Sequence, residues 1–226
     1  MARPPPEVAK LIEEILPADV AAVEAFDDPP EAVLHPAEAP AVTSAVDVRR
    51  REFTTGRHCA RRALARLGLA EVAIPVGPNR EPRWPAGVVG SITHCAGYRA
   101  AAVALDRHLA SVGIDAEPHA RLPDGVLDLV ALPDERTRLE LLAGSRPGVH
   151  WDRLLFSAKE SVYKAWYPVA GRWLGFEDAE MVIEADTFTA RLRVPGPDVG
   201  GVPLRTLPGR WLVRDGLVLT AVALPA

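Results

Sequence analysis

Two stretches of the chain have the residue spacing of long amphipathic helices, and most of the sequence around them is strand-like. The first, residues 44–68, starts near an N-capping serine, Ser44, and stops at Gly68. The second, residues 150–168, is predicted to end at Pro168, because proline cannot continue the helical hydrogen-bond ladder. The strand-like runs are sequence neighbours grouped around these helices. This order favours an α+β fold over a doubly wound parallel sheet.

The first predicted helix has one apolar stripe and a strongly basic flank. Phe53, Ala60, Leu64 and Leu67 share the stripe, which marks the face expected to be buried. Gly56 lies within the same helix and is expected to be a weak point, because glycine is a poor helix former.

The strand pattern is clearest in two places. Residues 88–95, 98–105 and 111–115 are three short runs separated by turns, which predicts an antiparallel meander. The last two strand-like runs of the chain are joined through Asp215 and Gly216, a dipeptide typical of tight β-hairpin turns.

Length, charge and cysteine content narrow the class of protein. With 226 residues, the chain can form one large domain or two lobes, and the proline-rich residues 18–43 predict an irregular segment. A net charge of −4 gives no general reason to bind nucleic acid, and no run of 18 apolar residues indicates a membrane span. Cys59 and Cys95 lack metal-ligand spacing, which is typical of free thiols in the cytoplasm.

Two carboxylates end the strand-like run "SVGIDAEP". Successive side chains of a strand alternate between faces, so Asp115 and Glu117 are predicted to point the same way. Two like charges side by side repel each other unless they are solvated or share a cation. A pair of carboxylates is a natural ligand set for Mg²⁺. Taken alone, however, the spacing favours a solvated strand end.

The second predicted helix carries another group of charges, in "FSAKESVYKAW". Glu160 and Lys164 are four residues apart and therefore neighbours on one helix face, where an ordinary surface pair is the default interpretation. Lys159 and Lys164 flank Glu160 within an otherwise apolar helix. This pattern favours a carboxylate metal ligand beside cations that bind a phosphorylated substrate.

Further candidate phosphate ligands lie upstream. The first helix is crowded with arginines, and arginine forks bind phosphate oxygens in a bidentate manner. Six of them are candidates: Arg49, Arg50, Arg51, Arg57, Arg61 and Arg62. Most of the six are expected to be solvated, with about two facing a site. His94 and Thr93 follow a strand-like run in "GSITHC". A lone histidine of this kind is more often a partly buried structural residue than a ligand.

Together, "VGIDAEP", "FSAKESVYKAW", "GSITHC" and "RHCARRAL" resemble the 4′-phosphopantetheinyl transferases. The resemblance is to the monomeric two-lobed type that activates surfactin synthetase, and especially to its mycobacterial and other actinobacterial members. It runs from about residue 44 to the C-terminus. It implies two similar α+β lobes related by pseudo-twofold symmetry, with coenzyme A (CoA) in the cleft between them. The lobes would be residues 1–109, with an irregular lead-in over 1–43, and residues 110–226, which carry the metal site.

The resemblance also implies roles for individual residues. Asp115, Glu117 and Glu160 would hold Mg²⁺, with Mn²⁺ as an alternative, and Lys164 would contact the CoA pyrophosphate. The family commonly has lysines in the loop before Trp84, where this chain has "VGPNREPRWP", so Arg80 or Arg83 is expected to replace them. The full set of implied CoA-binding residues is Arg49, Arg57, Arg80, Thr93, His94, Lys159 and Lys164.

The implied reaction transfers 4′-phosphopantetheine from CoA to a serine of an apo acyl or peptidyl carrier protein, which gives the holo carrier protein and 3′,5′-ADP. Such enzymes serve polyketide, nonribosomal peptide, fatty-acid and siderophore biosynthesis. Glu160, or a water that it orients, would accept the serine proton, and Lys164 would help the leaving group depart. Leu122, Val126 and Leu127 are either carrier-docking residues or core residues. A Mg²⁺-dependent phosphohydrolase or nuclease and a non-catalytic CoA-binding module are the alternatives.

Overall fold

The computed structural model describes residues 10–226, which form four α-helices, ten β-strands and three short 3-10 helices. The α-helices are α1 (Asp47–Arg66), α2 (Val126–Val130), α3 (Pro133–Ser145) and α4 (Trp151–Ala170). The strands are β1 (Ala21–Ala25), β2 (Val88–Cys95), β3 (Tyr98–Leu105), β4 (Leu109–Pro118), β5 (Ala179–Ile183), β6 (Thr187–Leu192), β7 (Asp198–Val199), β8 (Val202–Pro203), β9 (Thr206–Arg214) and β10 (Leu217–Pro225). The 3-10 helices are Ile12–Ile15, Ala39–Val42 and Phe176–Asp178.

Two antiparallel sheets organise the chain. The first has three strands in the order β1-β3-β2, and the second has five in the order β4-β10-β9-β6-β5. A separate two-stranded ribbon pairs β7 with β8. A 20-residue helix packs on each of the larger sheets: α1 on the first and α4 on the second. The α+β fold class is confirmed.

Helix α1 buries the predicted stripe against a sheet made largely of small residues. Phe53, Ala60 and Leu64 are buried, whereas Leu67 caps the helix end and only packs at the edge of the cluster. Gly56 is buried in the interface rather than being a weak point. A Cβ atom there would lie 3.1 Å from Cγ2 of Ile92, so the small residue allows α1 to approach β2 closely.

Helix α4 lies across β4 and β10. At Gly113 a Cβ atom would come within 2.0 Å of the Ser161 carbonyl oxygen, so only glycine allows this close approach of strand and helix. The prediction that the helix ends at Pro168 is wrong by two residues. The helix continues to Ala170 and ends where Gly171 adopts a left-handed conformation, with φ of 62°.

Two other sequence-based expectations need correction. Residues 18–43 are not wholly irregular, because β1 pairs in register with the alanine-rich β3 and so completes the first sheet. The first part of the predicted lead-in, residues 1–9, lies outside the described residues. Residues 88–115 do not form a three-stranded meander either: β2 and β3 pair, but β4 pairs with β10 in the second sheet. The predicted hairpin is confirmed, with positive φ at Asp215 and Gly216.

A shared core joins the two sheets. Leu11, Ile12 and Ile15 from the first 3-10 helix are buried together with Tyr98 of β3 and Ile114 of β4. None of the helices within residues 10–226 has the length and apolar character needed to cross a membrane.

Candidate active site

Side chains from both sheets meet where α4 crosses β4. The Lys164 ammonium donates to Asp115 Oδ1 at 2.7 Å and to the Ile114 carbonyl at 3.1 Å. Thr93 of β2 donates to the same Asp115 oxygen at 3.3 Å. Asp115 is almost fully buried, whereas about a quarter of the Lys164 side chain remains exposed. The strand tip and the distant helix therefore come together as the sequence predicts.

Short polar side chains join β2 to β4. Ser91 Oγ accepts a hydrogen bond from the Ile114 amide at 3.1 Å, and Thr93 Oγ1 accepts one from the Ala116 amide at 3.0 Å. The alternation Ser-x-Thr in "GSITHC" places both hydroxyls on one face of β2. These two hydrogen bonds hold β2 of the first sheet beside β4 of the second sheet, which carries the carboxylates.

Glu160 lies one helical turn before Lys164 and makes no hydrogen bond or ion pair with any of residues 10–226. Burial raises the pKa of its carboxyl group above the ordinary value, and the nearby charges of Asp115 and Glu117 raise it further. Lys164 acts in the opposite direction. A carboxyl group with a raised pKa and a free oxygen is suited to accept a proton.

Glu117 lies two residues beyond Asp115 and forms an ion pair with Arg153, whose Nη1 donates to Oε2 at 2.7 Å. The pKa of Glu117 is raised chiefly by burial and then by the charge of Asp115, while Arg153 lowers it. Both residues lie in the regular stretch of β4 that pairs with β10, opposite Thr220 and Val218, so Asp115 and Glu117 share a face of the strand. The predicted alternation is therefore confirmed.

The three carboxylates fit a hard cation in their chemistry, although they are not drawn together as a finished ligand cluster. Within residues 10–226, no three His, Cys, Asp or Glu side chains are grouped closely enough to hold a metal ion. Asp115 Oδ2 is nevertheless buried without a hydrogen-bond partner. Buried polar atoms are normally paired, so this oxygen is available to a ligand of the site.

A cluster of charges from α1 and β2 borders the same region. Arg49 of α1 contacts Nε2 of His94, and Glu52 Oε2 lies 3.3 Å from His94 Nδ1. The pKa of His94 is lowered to about 4, first by burial and then by the positive charges of Arg49 and Lys164. His94 is therefore neutral at physiological pH and would act as a hydrogen-bonding group, not as a cation.

A cavity of about 520 Å³ lies beside Glu160 and Lys164. One wall comes from the loop before β2 and from β2 itself, and the other comes from α4. Among the lining residues are Arg80, Trp84, Glu160, Tyr163, Lys164 and Tyr167. A cavity of this size with a few convergent polar groups is typical of a cofactor or substrate site.

Lys159 does not join this group. Its ammonium lies 2.8 Å from a carboxylate oxygen of Glu135 and donates to the carbonyls of Val130 and Phe176 at 3.0 and 2.7 Å. Both charged side chains are almost fully buried, and burial lowers the pKa of Lys159. The expectation of a second free cation beside Glu160 is therefore not met, because this lysine neutralises a buried acid of α3.

The remaining predicted phosphate ligands are placed differently from one another. Arg57 is buried, donates through Nε to the Ile74 carbonyl at 2.8 Å and lies over the Phe53 ring. Burial lowers its pKa to about 10. Arg80 is exposed at the rim of the cavity and has a positive φ of 70°, an unusual backbone conformation for a residue other than glycine.

The three predicted docking residues are only partly available. Leu122 is buried, with 9% of its surface exposed, and Leu127 packs against the core of the second lobe. Val126, at the start of α2, is half-buried. The sequence reasoning missed Leu129 on the same helix, which is 79% exposed. Because the helical period places Val126 and Leu129 on one face, the signal was present in the sequence.

The comparisons with known proteins agree with this geometry. Residues 37–104 match the family model for the 4′-phosphopantetheinyl transferase N-terminal domain, and residues 111–198 match that of the 4′-phosphopantetheinyl transferase superfamily. The 4′-phosphopantetheinyl transferase Svp of Streptomyces mobaraensis is 54% identical over 221 residues, which are 96% of this chain and 90% of that protein.

Two further relatives match this chain over almost their whole length. The 4′-phosphopantetheinyl transferase Npt of Nocardia iowensis is 52% identical, over 94% of this chain and 99% of its own. The 4′-phosphopantetheinyl transferase PptT of Mycobacterium tuberculosis is 49% identical, over 96% and 99%. The chain belongs to the 4′-phosphopantetheinyl transferase superfamily, whose members transfer the phosphopantetheine group of coenzyme A to carrier proteins. The resemblance to actinobacterial members is confirmed.

Proposed function

We propose that this transferase binds CoA in the cavity between β2 and α4 and uses Glu160 and Lys164 on its phosphopantetheinyl group. The observation that carries the proposal is the position of these two side chains. Both line the 520 Å³ cavity, next to the buried Asp115 whose second oxygen has no partner. The acceptor is the serine hydroxyl of an apo acyl or peptidyl carrier protein.

Asp115, Glu117 and Glu160 are the residues proposed to hold a divalent ion, Mg²⁺ or alternatively Mn²⁺. The unpaired Asp115 Oδ2 and the free carboxylate of Glu160 support this assignment, because both are oxygen donors of the kind that hard cations prefer. When bound, such an ion supplies charge neutralisation for the diphosphate of CoA.

In the proposed reaction, the serine Oγ forms a bond to the phosphorus that carries the pantetheine. The bond from this phosphorus to the bridging oxygen breaks, and the oxygen leaves with 3′,5′-ADP. Glu160, whose pKa is raised by burial, accepts the serine proton directly or through a water. The Lys164 ammonium stabilises the negative charge that develops on the leaving oxygen.

The first lobe is proposed to bind the phosphates of CoA. Arg49 and Arg80 are the guanidinium groups with exposed surface next to the cavity region. Thr93 and the neutral His94 would contribute hydrogen bonds, and Arg57 would act from its buried position mainly through its positive charge. Lys159 is left out of this set because Glu135 holds its ammonium.

Carrier-protein docking is proposed for the surface formed by Val126 and Leu129 on α2. Leu129 supplies exposed apolar area, and the loop that leads to α2 follows directly from the carboxylate strand. High salt is expected to weaken docking of an acidic carrier protein, because the attraction must come from local basic groups. The protein is further proposed to act as a monomer. A cytoplasmic location is supported by its two free, buried cysteines.

The two sheets are proposed to be the cores of two lobes, residues 1–109 and 110–226, related by pseudo-twofold symmetry. Each larger sheet lies on one side of this boundary, and each carries one 20-residue helix. The two family models also match on either side of it, over 37–104 and 111–198.

The direct test is incubation with CoA, Mg²⁺ and an apo carrier protein, followed by intact-protein mass spectrometry. The proposal predicts a mass gain of one phosphopantetheine on a carrier serine, and a carrier with that serine changed to alanine is the control. Release of inorganic phosphate without any carrier would instead indicate a phosphohydrolase. CoA binding with no transfer to several different carriers would indicate a non-catalytic module.

A further inference from the structure

The guanidinium of Arg153, in the first turn of α4, connects the carboxylate strand to the loop that follows it. Nη1 donates to Glu117 Oε2 at 2.7 Å. Nε donates to the Ala120 carbonyl at 3.0 Å, and Nη2 donates to the Arg121 carbonyl at 2.8 Å. All three nitrogens are engaged, and the side chain is only 14% exposed. The flat fork of arginine can satisfy three acceptors at once, whereas the ammonium of lysine cannot match this geometry.

A neighbouring side chain holds the same loop without touching Glu117. Asp152 Oδ2 accepts a hydrogen bond from the Leu122 amide at 2.8 Å. Two side chains in the first turn of α4, Asp152 and Arg153, therefore hold residues 120–122 by hydrogen bonds. Leu122 is buried beside this turn. This loop leads through Gly125 into α2, the helix that carries the exposed Leu129.

Glu117 uses only one of its two oxygens in this arrangement. Oε2 accepts from Arg153, whereas Oε1 accepts no hydrogen bond from the part of the chain that the structure describes. One oxygen of Glu117 can therefore bind a cation while the other stays on Arg153. Groups that hold a metal ligand in this way fix its orientation, and their loss typically weakens metal binding 10- to 100-fold.

We propose that Arg153 is a positioning residue with two targets: it orients Glu117 toward the divalent ion, and it fixes the 120–122 loop for the carrier protein. The inference rests on the proposed function, in which Glu117 is a metal ligand and α2 is the docking helix. Because one guanidinium serves both targets, the metal site and the docking loop are coupled through it. An ordinary stabilising ion pair would have neither effect.

Four variants separate these contributions. Arg153→Met removes all three contacts, and Arg153→Lys keeps the charge but not the fork. Asp152→Ala releases only the Leu122 amide. Arg138→Met is the matched control, because Arg138 also makes a 2.7 Å ion pair with a glutamate, Glu180, but between α3 and β5.

Two measurements are needed on each folded variant. Free Mn²⁺ is counted by electron paramagnetic resonance in a titration with CoA present, which reports metal affinity without turnover. Steady-state transfer to one apo carrier protein gives KM for the carrier and kcat. We expect Arg153→Met to weaken Mn²⁺ binding about 10- to 100-fold and to raise the carrier KM.

The other variants sharpen that result. Arg153→Lys should recover part of the Mn²⁺ affinity while the carrier KM stays high. Asp152→Ala should raise the carrier KM and leave Mn²⁺ binding unchanged, and Arg138→Met should leave both at the wild-type value. If Arg153→Met does not fold, Arg153→Lys and Asp152→Ala provide the same two readouts.

The inference is overturned if the Arg153 variants keep both quantities within twofold of wild type, or if only one of the two changes. It is also overturned if Arg138→Met produces the same changes, because the effect would then be general loss of stability. These outcomes differ from failure of the proposed function, in which the wild-type protein itself would load no carrier protein.

Discussion

The carboxylates of the candidate site, on the acidic side, and the arginines of α1, on the basic side, differ in how well the local sequence pattern predicts their positions. Asp115 and Glu117 share a face because a strand alternates, and Glu160 lies beside Lys164 because a helix repeats every 3.6 residues. On the basic side, seven arginines share α1, but several of their guanidinium groups reach partners far away in sequence. Arg61, for example, pairs with the buried Glu38. Short side chains on regular elements are thus more predictable than long cationic ones.

The largest expected effect comes from Glu160→Gln on the acidic side. We expect turnover to fall about 10²- to 10⁴-fold, the range typical of lost general acid–base catalysis, because glutamine cannot accept the serine proton. The fold should be unaffected, since Glu160 pairs with none of residues 10–226. Single-turnover transfer to an apo carrier protein measures the loss. Full turnover with weakened metal binding would show that Glu160 is a ligand and not the base.

The pH dependence of the stability of the same variant tests the direction in which the pKa of Glu160 is shifted. The pKa of Glu160 in the folded protein is raised above the ordinary value of 4.5, so ionisation of this group opposes folding. Its favourable contribution is present at low pH and is lost as pH rises through the raised pKa. Denaturation of metal-free protein should therefore show equal stability at low pH, with Glu160→Gln becoming the more stable form as pH rises. The opposite order at neutral pH would contradict the assigned environment.

Lys159→Met should have the next largest effect. It should lower the free energy of unfolding and leave catalysis nearly unchanged. The substitution leaves the buried carboxylate of Glu135 with hydrogen bonds from the Leu132 and Met181 amides but without a countercharge, and breaking a buried ion pair typically costs about 3–5 kcal/mol. Urea denaturation measures this loss, and kcat per folded molecule should change little. The double variant Glu135→Gln, Lys159→Met is the control and should recover part of the stability. A large fall in kcat with normal stability would restore Lys159 to the CoA site.

A smaller effect is expected at the two glycines where a helix meets a sheet. Gly113→Ala places a methyl group against the Ser161 backbone, so it should cost about 1–3 kcal/mol and displace α4 from Asp115. A displacement of about 1 Å at a catalytic pair can reduce the rate about 100-fold. Gly56→Ala is the matched variant in the other lobe, where the added methyl meets only the Ile92 side chain. Thermal unfolding and kcat should show a much milder effect there.

The smallest expected effect is on the pH dependence of stability, and it comes from His94. His94 has its pKa lowered to about 4, below the ordinary 6.5, so the folded protein favours the neutral ring. Its stabilising contribution is complete above pH 6.5 and is lost as pH falls toward 4. Histidine NMR of the CoA-free protein should show this ring titrating near pH 4, and His94→Gln should flatten the acid limb of the stability curve. Titration near pH 6.5 would contradict the buried, cation-flanked environment.

Much of the fold and the acidic site could be predicted from the sequence, for identifiable physical reasons. Strands β2 and β3, helix α4 and the Asp215-Gly216 hairpin all follow from local periodicity and turn chemistry. Strand β1 could not be predicted, because the edge strand is short and its pairing with β3 spans about 80 residues of chain. Such non-local pairing leaves no local signal.

Among the site residues, too, some could be predicted from local spacing and others could not. The spacing in "AKESVYK" predicted the neighbourhood of Glu160 and Lys164, but it could not tell that an ion pair holds the ammonium of Lys159. That requires the position of Glu135, which is 24 residues away on α3. Arg153 was missed because its partners Glu117 and Ala120 lie on another element. Side chains whose role depends on distant partners are therefore where the structure adds most.

The most direct test of the account is the position of a divalent ion in the complex with CoA. Crystals grown with Mn²⁺ and CoA would reveal the ion by its anomalous scattering. We predict one strong peak within ligand distance of Asp115 Oδ2 and Glu160, with the CoA diphosphate completing the shell beside Lys164. A peak bound elsewhere on the protein, or CoA bound with no ion near these carboxylates, would contradict the central claim.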